Sequence, residues 1–296
     1  MSLKTRAELV LFGTTFIWGG TFTIVKLGME EISPILLTAI RFTLAAAIIT
    51  LLLHRTIFPL PRATVWRGGL LGVFLFIGFT TQNIGLTVTT ASKSAFITGT
   101  MVLFVPILQY LLERRSPRIG NVAGIGVVTL GLWLMTSPSG AGFNLGDLLT
   151  FGCAIAFAAY IVYLDMIATT MHTSQLVFLQ IVTTGLLSWA TVAAFERPVF
   201  ACTGNSIGAL LYLTLLATVL TTWLQSRFQK DTTPTRAVIV FSIEPVWASI
   251  IAAVAIGETL TGTGIAGGAL IVGGVLLSEL SERIPVLNRP LIAGQP

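Results

Sequence analysis

The segment Thr89-Thr90-Ala91-Ser92-Lys93-Ser94-Ala95 recurs in altered form as Thr232-Thr233-Pro234-Thr235-Arg236-Ala237-Val238, about half a chain length further on. Three more pairs align in the same register: Gln82 with Gln225, Gly124 with Gly267 and Gly131 with Gly274. Upstream the register slips by a few residues, and Glu8-Leu9-Val10-Leu11-Phe12-Gly13 then aligns with Asp147-Leu148-Leu149-Thr150-Phe151-Gly152. Internal identity at a fixed interval indicates duplication, so the sequence predicts two copies of one structural unit.

The composition is typical of a membrane protein. Hydrophobic residues make up 54% of the 296 residues and charged residues only 10%, with a mean hydropathy of +0.90. So little polar surface cannot cover a soluble globule, whereas apolar runs of about 20 residues suit a bilayer. The chain is therefore predicted to be an all-α membrane protein. Its candidate transmembrane spans lie near 8–27, 34–53, 67–86, 93–112, 119–136, 146–165, 174–194, 206–226, 234–256 and 261–281.

The lysines and arginines support this number of spans, because short cytoplasmic loops collect positive charge. With the N-terminus inside, the outer loops hold only Lys26, Lys93 and Arg197, and Arg41 lies within a span. The inner loops and tails hold all the others: Lys4, Arg6, Arg55, Arg62, Arg67, Arg114, Arg115, Arg118, Arg227, Lys230, Arg236, Arg283 and Arg289. A miscounted span would exchange the two sides from that point on. The net charge of +5 is thus a feature of topology, and no nucleic-acid partner is expected.

Ten spans in two copies give five per copy, and an odd number inverts the second copy in the membrane. We expect a first five-helix repeat over 1–138, a second, inverted five-helix repeat over 139–282, and a disordered cytoplasmic tail over 283–296. No cleavable signal peptide is evident, because the run 9–25 is long enough to span and lacks a small-residue exit before Lys26. Inverted repeats around one centre are typical of secondary transporters.

Motifs for other chemistries are missing or out of context. No Gly-x-x-x-x-Gly-Lys-Ser/Thr phosphate loop occurs, and Gly262-Thr263-Gly264-Ile265-Ala266-Gly267 opens an apolar span with no βα unit before it, which favours helix packing over dinucleotide binding. His54 and His172 fall at span ends, while Cys153 and Cys202 lie in different environments. We therefore expect no enzymatic activity, no metal and no cofactor.

Charged residues within the spans are candidates for function. Arg41 lies in the second span and Glu244 in the ninth. Glu244 is either a binding or proton-coupling carboxylate or a carboxyl held by a structural hydrogen bond. Arg41 is better explained as a structural tie to carbonyls or as a snorkelling side chain. Lys93 and Arg236 occupy equivalent positions at opposite faces, where a gate and an interfacial anchor are equally good explanations.

Two prolines mark helices of the two copies in a similar way. Pro106 in the fourth span and Pro245 in the ninth each remove an amide donor, which frees the carbonyls of Val102 and Phe241. Free carbonyls at membrane depth are tolerated where they line a cavity or meet a neighbouring helix. Both helices are therefore candidate cavity walls and hinges, with a packing kink as the alternative.

Aromatic and amide side chains gather at the same expected depth, where aromatic rings are not interface anchors. A cavity with aromatic walls, two amides and few charges suits a small neutral or zwitterionic solute and suits a phosphorylated one poorly. The predicted substrate site comprises Trp18, Gln82, Thr98, Met101, Tyr160, Tyr163, Gln225, Glu244 and Trp247.

Three groups of residues carry a wider resemblance: the opening Glu8…Phe12-Gly13…Trp18-Gly19-Gly20 helix, Arg41, and Ile243-Glu244-Pro245-Val246…Gly257-Glu258…Gly267…Gly273-Gly274. With the two copies of five spans, the chain resembles EamA-type carriers of the drug/metabolite transporter superfamily over nearly its whole length. The first copy departs from the pattern, since Met101 stands near the place of Glu244-Pro245. The resemblance implies alternating access around a cavity formed by the first, third and fourth helices of each copy.

Within that family the chain resembles bacterial inner-membrane exporters of aromatic and neutral amino acids. It is therefore predicted to export small neutral or aromatic amino acids and related metabolites across the inner (plasma) membrane. The alternative is a carrier of another small solute, such as a drug-like amine, a purine or a sugar conjugate. A phosphate-ester carrier would need several cations in its cavity, and only Arg41 is offered at depth. The expected partners are the solute and the lipid bilayer, and a monomer is compatible with the sequence.

Overall fold

In the computed structural model the chain is a bundle of helices, described over residues 2–136, 144–259, 261–281 and 283–291. The first half contains α1 (Leu3–Gly28), α2 (Pro34–Ile57), α3 (Arg62–Leu86), α4 (Ala91–Gly99), α5 (Met101–Glu113) and α6 (Ile119–Thr136). The second half contains α7 (Leu145–Ala168), α8 (Thr173–Phe195), α9 (Gly204–Leu211), α10 (Thr221–Phe228), α11 (Pro234–Phe241), α12 (Glu244–Ile256) and α13 (Gly262–Ser281). A π-helical segment, Tyr212–Leu220, joins α9 to α10, and a 3-10 turn, Gln229–Asp231, follows.

The lengths of these helices suit a membrane. Across the described residues, 9 helices are long and apolar enough to span it, and a shorter apolar helix, Ile119–Leu134, adds a tenth. Pairs such as α4 with α5 and α11 with α12 each form one span. The prediction of an all-α, multi-pass membrane protein is confirmed. α1 begins at Leu3, earlier than predicted, because the Ser2 hydroxyl caps it by accepting from the amide of Thr5 at 3.1 Å.

Successive spans lie antiparallel, so the connections alternate between two ends of the bundle. At the first face, where α1 begins, the Ser174 hydroxyl donates to the carbonyl of Thr56 at 3.0 Å. At the second face, where α1 ends, the Glu196 carboxylate accepts from the amides of Ile35 and Leu36 at 2.9 and 2.8 Å. A carboxylate in this position satisfies backbone donors at the start of α2, which have no partner within the helix.

The C-terminal segment 283–291 packs on the start of α6 at the first face. Backbone hydrogen bonds join Ile119 to Arg289 at 3.0 Å, Gly120 to Leu287 at 2.9 Å and Leu291 to Pro117 at 2.9 Å. The structure thus differs from the expected disordered tail over these residues, because the tail supplies acceptors to amides of the first helical turn. The expected repeat boundary between 138 and 139 and the end of the tail, 292–296, lie outside the described residues.

Two spans are interrupted near their middle. The fourth is broken at Thr100, between α4 and α5, and the ninth is broken between Phe241 and Glu244. Pro106, predicted as a hinge, lies inside α5 beyond the break. Pro245 lies in the first turn of α12, where a missing amide hydrogen costs no helical hydrogen bond. The fourth span is therefore interrupted at Thr100 and not at its proline.

Glycines allow the closest helix contacts. α6 packs along α13, with Gly124 against Gly274 and Gly131 against Gly267. A Cβ atom on Gly124 would lie 2.8 Å from the carbonyl oxygen of Gly274, and one on Gly131 would lie 2.6 Å from that of Gly267. Any side chain at these positions would push the helices apart, so the glycines set the distance between them.

Candidate functional site: a central cavity

A cavity lies among the helices at the depth of the two interruptions. The volume open to the centres of water molecules is about 70 Å³. One water molecule needs roughly 10–15 Å³ by the same definition of volume, so the cavity has room for several. The space therefore suits a small solute. The lining residues are Trp18, Thr21, Arg41, Leu75, Phe79, Gln82, Thr98, Met101, Phe157, Tyr160, Ile161, Ala217, Thr222, Gln225, Phe241 and Glu244.

Most of the predicted substrate-site residues meet in this cavity: Trp18, Gln82, Thr98, Met101, Tyr160, Gln225 and Glu244. Two do not. Tyr163 packs edge-on to Phe74, with ring centroids 5.9 Å apart, and Trp247 packs against Phe16 at 5.4 Å and lines a separate apolar groove. Arg41, predicted as a structural charge, is part of the lining.

The repeat register identifies lining residues that residue type alone missed. With the intervals of the sequence alignment, Trp18 corresponds to Phe157, Tyr160 to Thr21 and Thr98 to Phe241, and both members of each pair line the cavity. The same holds for Phe79 with Thr222, Gln82 with Gln225 and Met101 with Glu244. Applying the register to the predicted residues Trp18, Tyr160 and Thr98 adds Phe157, Thr21 and Phe241.

Hydrogen bonds fix several lining side chains. The Trp18 indole donates to the hydroxyl of Thr221 at 3.0 Å, and the Gln82 amide donates to Thr98 at 3.1 Å. The Tyr160 hydroxyl donates to the Gln180 side-chain oxygen at 2.8 Å. Tyr160 therefore presents its ring to the cavity, while its hydroxyl is bound to the protein.

Arg41 is 2% exposed and lies against the π-helical segment. Its Nε donates to the hydroxyl of Thr218, and Nη2 donates to the carbonyl of Ala217 at 2.9 Å. The guanidinium also lies over the ring of Phe79, 4.7 Å from the centroid. A cation–π contact and two hydrogen bonds hold the group in one orientation at the cavity wall.

Glu244 is 8% exposed and lies in the first turn of α12. Among the described residues its carboxyl makes no ion pair and no hydrogen bond. α1 approaches closely here, since a Cβ atom on Gly19 would lie 3.2 Å from the Glu244 carbonyl oxygen and 3.0 Å from the amide nitrogen of Ala248. Gly19 thus brings Trp18 and Glu244 to the same cavity.

Two clusters of ion pairs lie toward the two faces of the bundle, and the acid of the first cluster and the arginine of the second are buried. At the second face Lys93 Nζ lies 2.6 Å from the Asp147 carboxylate, which also accepts from the hydroxyl of Thr89 at 2.9 Å. At the first face Arg236 Nε lies 2.6 Å from Glu8, which accepts from Thr232 at 3.0 Å. Arg236 Nη2 lies 2.6 Å from Glu279 as well. Each cluster joins the start of the fourth helix of one half to the start of the first helix of the other half. The Lys93–Asp147 pair joins α4 to α7, and the Arg236–Glu8 pair joins α11 to α1.

Comparisons with known proteins agree with this fold. A transporter of Archaeoglobus fulgidus is 30% identical over 280 residues, covering 94% of this chain and 87% of that protein. A Salmonella typhimurium protein named as a probable amino-acid metabolite efflux pump is 25% identical over 287 residues, with coverages of 90% and 93%. A solved crystal structure with 22% identity superposes with a TM-score of 0.78, covering 95% of this chain and 98% of that one.

The family profile gives the assignment. The EamA-like transporter family matches the chain twice, over residues 5–137 and 144–280. These segments include the helices that form the cavity and both ion pairs. This agrees with the resemblance carried by the Trp18-Gly19-Gly20 and Glu244-Pro245 motifs. The chain is therefore a membrane transporter of small molecules and belongs to the EamA-like transporter family, within the drug/metabolite transporter superfamily.

Proposed function

We propose that the protein exports small neutral or aromatic amino acids and related metabolites across the inner (plasma) membrane by alternating access. The observation that carries this proposal is the central cavity, which is walled by equivalent side chains from both halves of the chain. A binding site shared by two halves becomes accessible to either face when one half rocks against the other. Both termini are proposed to lie in the cytoplasm, as the distribution of lysine and arginine favours.

The proposal includes two inverted five-helix repeats, 1–138 and 139–282. The two family matches, 5–137 and 144–280, support it. The glycine contacts support it as well, since Gly124 aligns with Gly267 and Gly131 with Gly274, yet Gly124 packs on Gly274 and Gly131 on Gly267. A two-fold axis in the membrane plane produces such crossed contacts between equivalent positions.

The chemistry of the cavity supports an amino-acid substrate. Rings from Trp18, Phe79 and Phe241 give apolar walls, and Gln82 and Gln225 add amides. One cationic and one acidic side chain line it, so a multiply charged phosphate ester would lack counter-charges. The relative from Salmonella typhimurium, named as a probable amino-acid metabolite efflux pump, agrees with this substrate class.

Counterflow in proteoliposomes tests the proposal. Vesicles that contain the purified full chain are loaded in turn with neutral, aromatic, acidic or basic amino acids, and labelled solute is added outside. We expect accumulation with neutral and aromatic amino acids, and none in protein-free vesicles. A Trp18→Ala variant should accumulate less, while Trp66→Ala serves as the matched control because Trp66 is 79% exposed.

The opposite result would be equally clear. If no amino acid supports counterflow while a drug-like amine, a purine or a sugar conjugate does, the amino-acid assignment is wrong and the alternative carrier is correct. Rates far above those of a carrier, without counterflow, would indicate a channel.

A further inference from the structure

The central cavity contains two charged side chains that do not neutralise each other. Arg41 comes from α2 and Glu244 from α12, and the two form no ion pair. Within the described part of the chain, no carboxylate pairs with Arg41 and no cation pairs with Glu244. An ionisable group at membrane depth costs free energy, and such groups are typically retained where they bind a partner. The cavity therefore has one positive and one acidic pole that are open to a ligand.

Some N–H donors of the Arg41 guanidinium have no hydrogen-bond acceptor among the described residues. A guanidinium carries five N–H donors in a planar fork, and the described contacts use Nε toward Thr218 and Nη2 toward the Ala217 carbonyl. Nη1 has no hydrogen-bond partner among the described residues, and the residue lines the cavity. The π-helical segment supplies both fixed acceptors, and the guanidinium lies over the ring of Phe79. The guanidinium is therefore rigid, with its remaining donors available for a planar anion such as a carboxylate.

Glu244 complements it from another wall. Its carboxyl belongs to the first turn of α12 and makes no hydrogen bond in the described residues, although the residue is only 8% exposed. A buried carboxyl group needs hydrogen-bond donors, and a primary ammonium supplies three. Met101 occupies the equivalent position in the first half, so the acidic pole exists on one side only. This asymmetry gives a bound zwitterion one orientation.

We propose that Arg41 binds the α-carboxylate of the transported amino acid and that Glu244 binds its α-ammonium group. The inference rests on the proposed function and makes it more specific, since it requires both charges on one ligand. The side chain of the amino acid then lies against the rings of Trp18 and Phe241, whose centroids are 5.2 Å apart. A simple amine leaves Arg41 without an anion, and a simple acid leaves Glu244 without a cation. Either ligand leaves one buried charged side chain unpaired, and this cost makes the site select against simple amines and simple acids.

Competition on the wild-type protein is the first test. Counterflow of labelled leucine or phenylalanine is measured with three competitors: the unlabelled amino acid, its carboxamide, and the acid of the same skeleton without the amino group. We expect each analogue to compete at least about 10-fold more weakly than the amino acid, because a site built around a polar group rejects ligands that lack it. Equal competition by either analogue would overturn the assignment of the corresponding pole while leaving amino-acid transport intact.

Variants then link each pole to its residue. Arg41→Gln should abolish the preference for the amino acid over its carboxamide and keep the preference over the des-amino acid, and Glu244→Gln should give the reverse pattern. Arg41→Lys keeps the charge without the fork and should retain part of the preference. Arg227→Gln is the control, because Arg227 is half-exposed and pairs with Asp231 in the same chain segment. A lower transport rate in both variants, with the relative competition of the two analogues unchanged from the wild type, would mean that both residues are only structural.

The two proposals fail separately. If no amino acid supports counterflow, the proposed function and this inference are both wrong. If amino acids are transported and the carboxamides compete equally well, the inference alone is wrong. The wild-type competition decides this point even if a variant fails to fold.

Discussion

At the scale of single residues, the structure separates aromatic side chains that the sequence grouped together. Trp18 lines the cavity, packs edge-on to Phe241 and donates its indole hydrogen to Thr221. Tyr163 lies outside the cavity lining and packs against Phe74. The sequence predicts both in the substrate site, so a comparison of the two residues tests whether the cavity is that site.

We expect Trp18→Ala to raise the apparent KM for the transported amino acid about 10-fold, because a large aromatic surface is removed from the ligand. Tyr163→Ala should leave the apparent KM near that of the wild type. Initial rates of counterflow over a range of substrate concentrations measure both values, with the amount of inserted protein as the control. A KM that rises equally in the two variants would contradict the placement of the site in this cavity.

The sequence predicts much of this site and misses a part for geometric reasons. Residue type and depth are enough to select Trp18, Gln82 and Glu244. They are not enough to choose between Tyr160 and Tyr163, which are three residues apart on α7 and therefore lie on neighbouring parts of one helix face. They do suggest that Arg41 binds carbonyl groups, as it does at Ala217. They do not place Arg41 in the cavity lining, because its position depends on a π-helical segment that no sequence pattern predicted.

At the scale of helices, the repeat register is more informative than proline. Thr100 and Ile243 are separated by the same interval as Thr89 and Thr232, and each lies in an interruption of its span. The prolines do not share this register, since Pro106 follows the break in α5 and Pro245 begins α12. Proline marks places where a helix can lose a hydrogen bond, whereas the position of the break depends on packing around the cavity.

The pairing of α6 with α13 gives a prediction at this scale. Gly124→Ala should destabilise the protein by about 1–3 kcal/mol, because the new methyl group meets the backbone of α13. Gly126→Ala is the matched control, since a Cβ atom there has nothing within 4 Å. Both substitutions raise the helix propensity by the same amount. The difference between the thermal unfolding midpoints of the two variants in detergent therefore measures the steric clash of the new methyl group with α13. Equal midpoints would mean that the α6–α13 contact does not contribute to stability.

At the scale of the whole molecule, two ion-pair clusters lie toward opposite faces of the bundle. The Lys93–Asp147 pair joins α4 to α7 at the second face, and Arg236 joins α11 to α1 through Glu8 at the first. Thr89 and Thr232, which align in the sequence, bind the two acids in the same manner. If the proposed alternating access opens one face at a time, each cluster is placed to hold one face closed, so we propose that the two clusters act as gates. The sequence alone does not choose between a gate and an interfacial anchor for Lys93 and Arg236. The two explanations predict different effects when the ion pair of either residue is broken.

We expect Asp147→Asn to open the cavity toward the second face and Glu8→Gln to open it toward the first. Removing one charge of an ion pair whose other charge stays largely buried costs about 2 kcal/mol, which changes the ratio of closed to open states about 30-fold. The reporter is Met101→Cys on the cavity wall, in a Cys153→Ala/Cys202→Ala background, labelled by a membrane-impermeant thiol reagent from each side of oriented vesicles. Asp231→Asn is the control, because its pair with Arg227 lies within one helical turn and joins no separate helices. Each gate variant should label faster from its own face and more slowly from the other, since the two open states compete for one population. An anchor would instead lower the stability of the protein and leave the ratio of the two labelling rates unchanged.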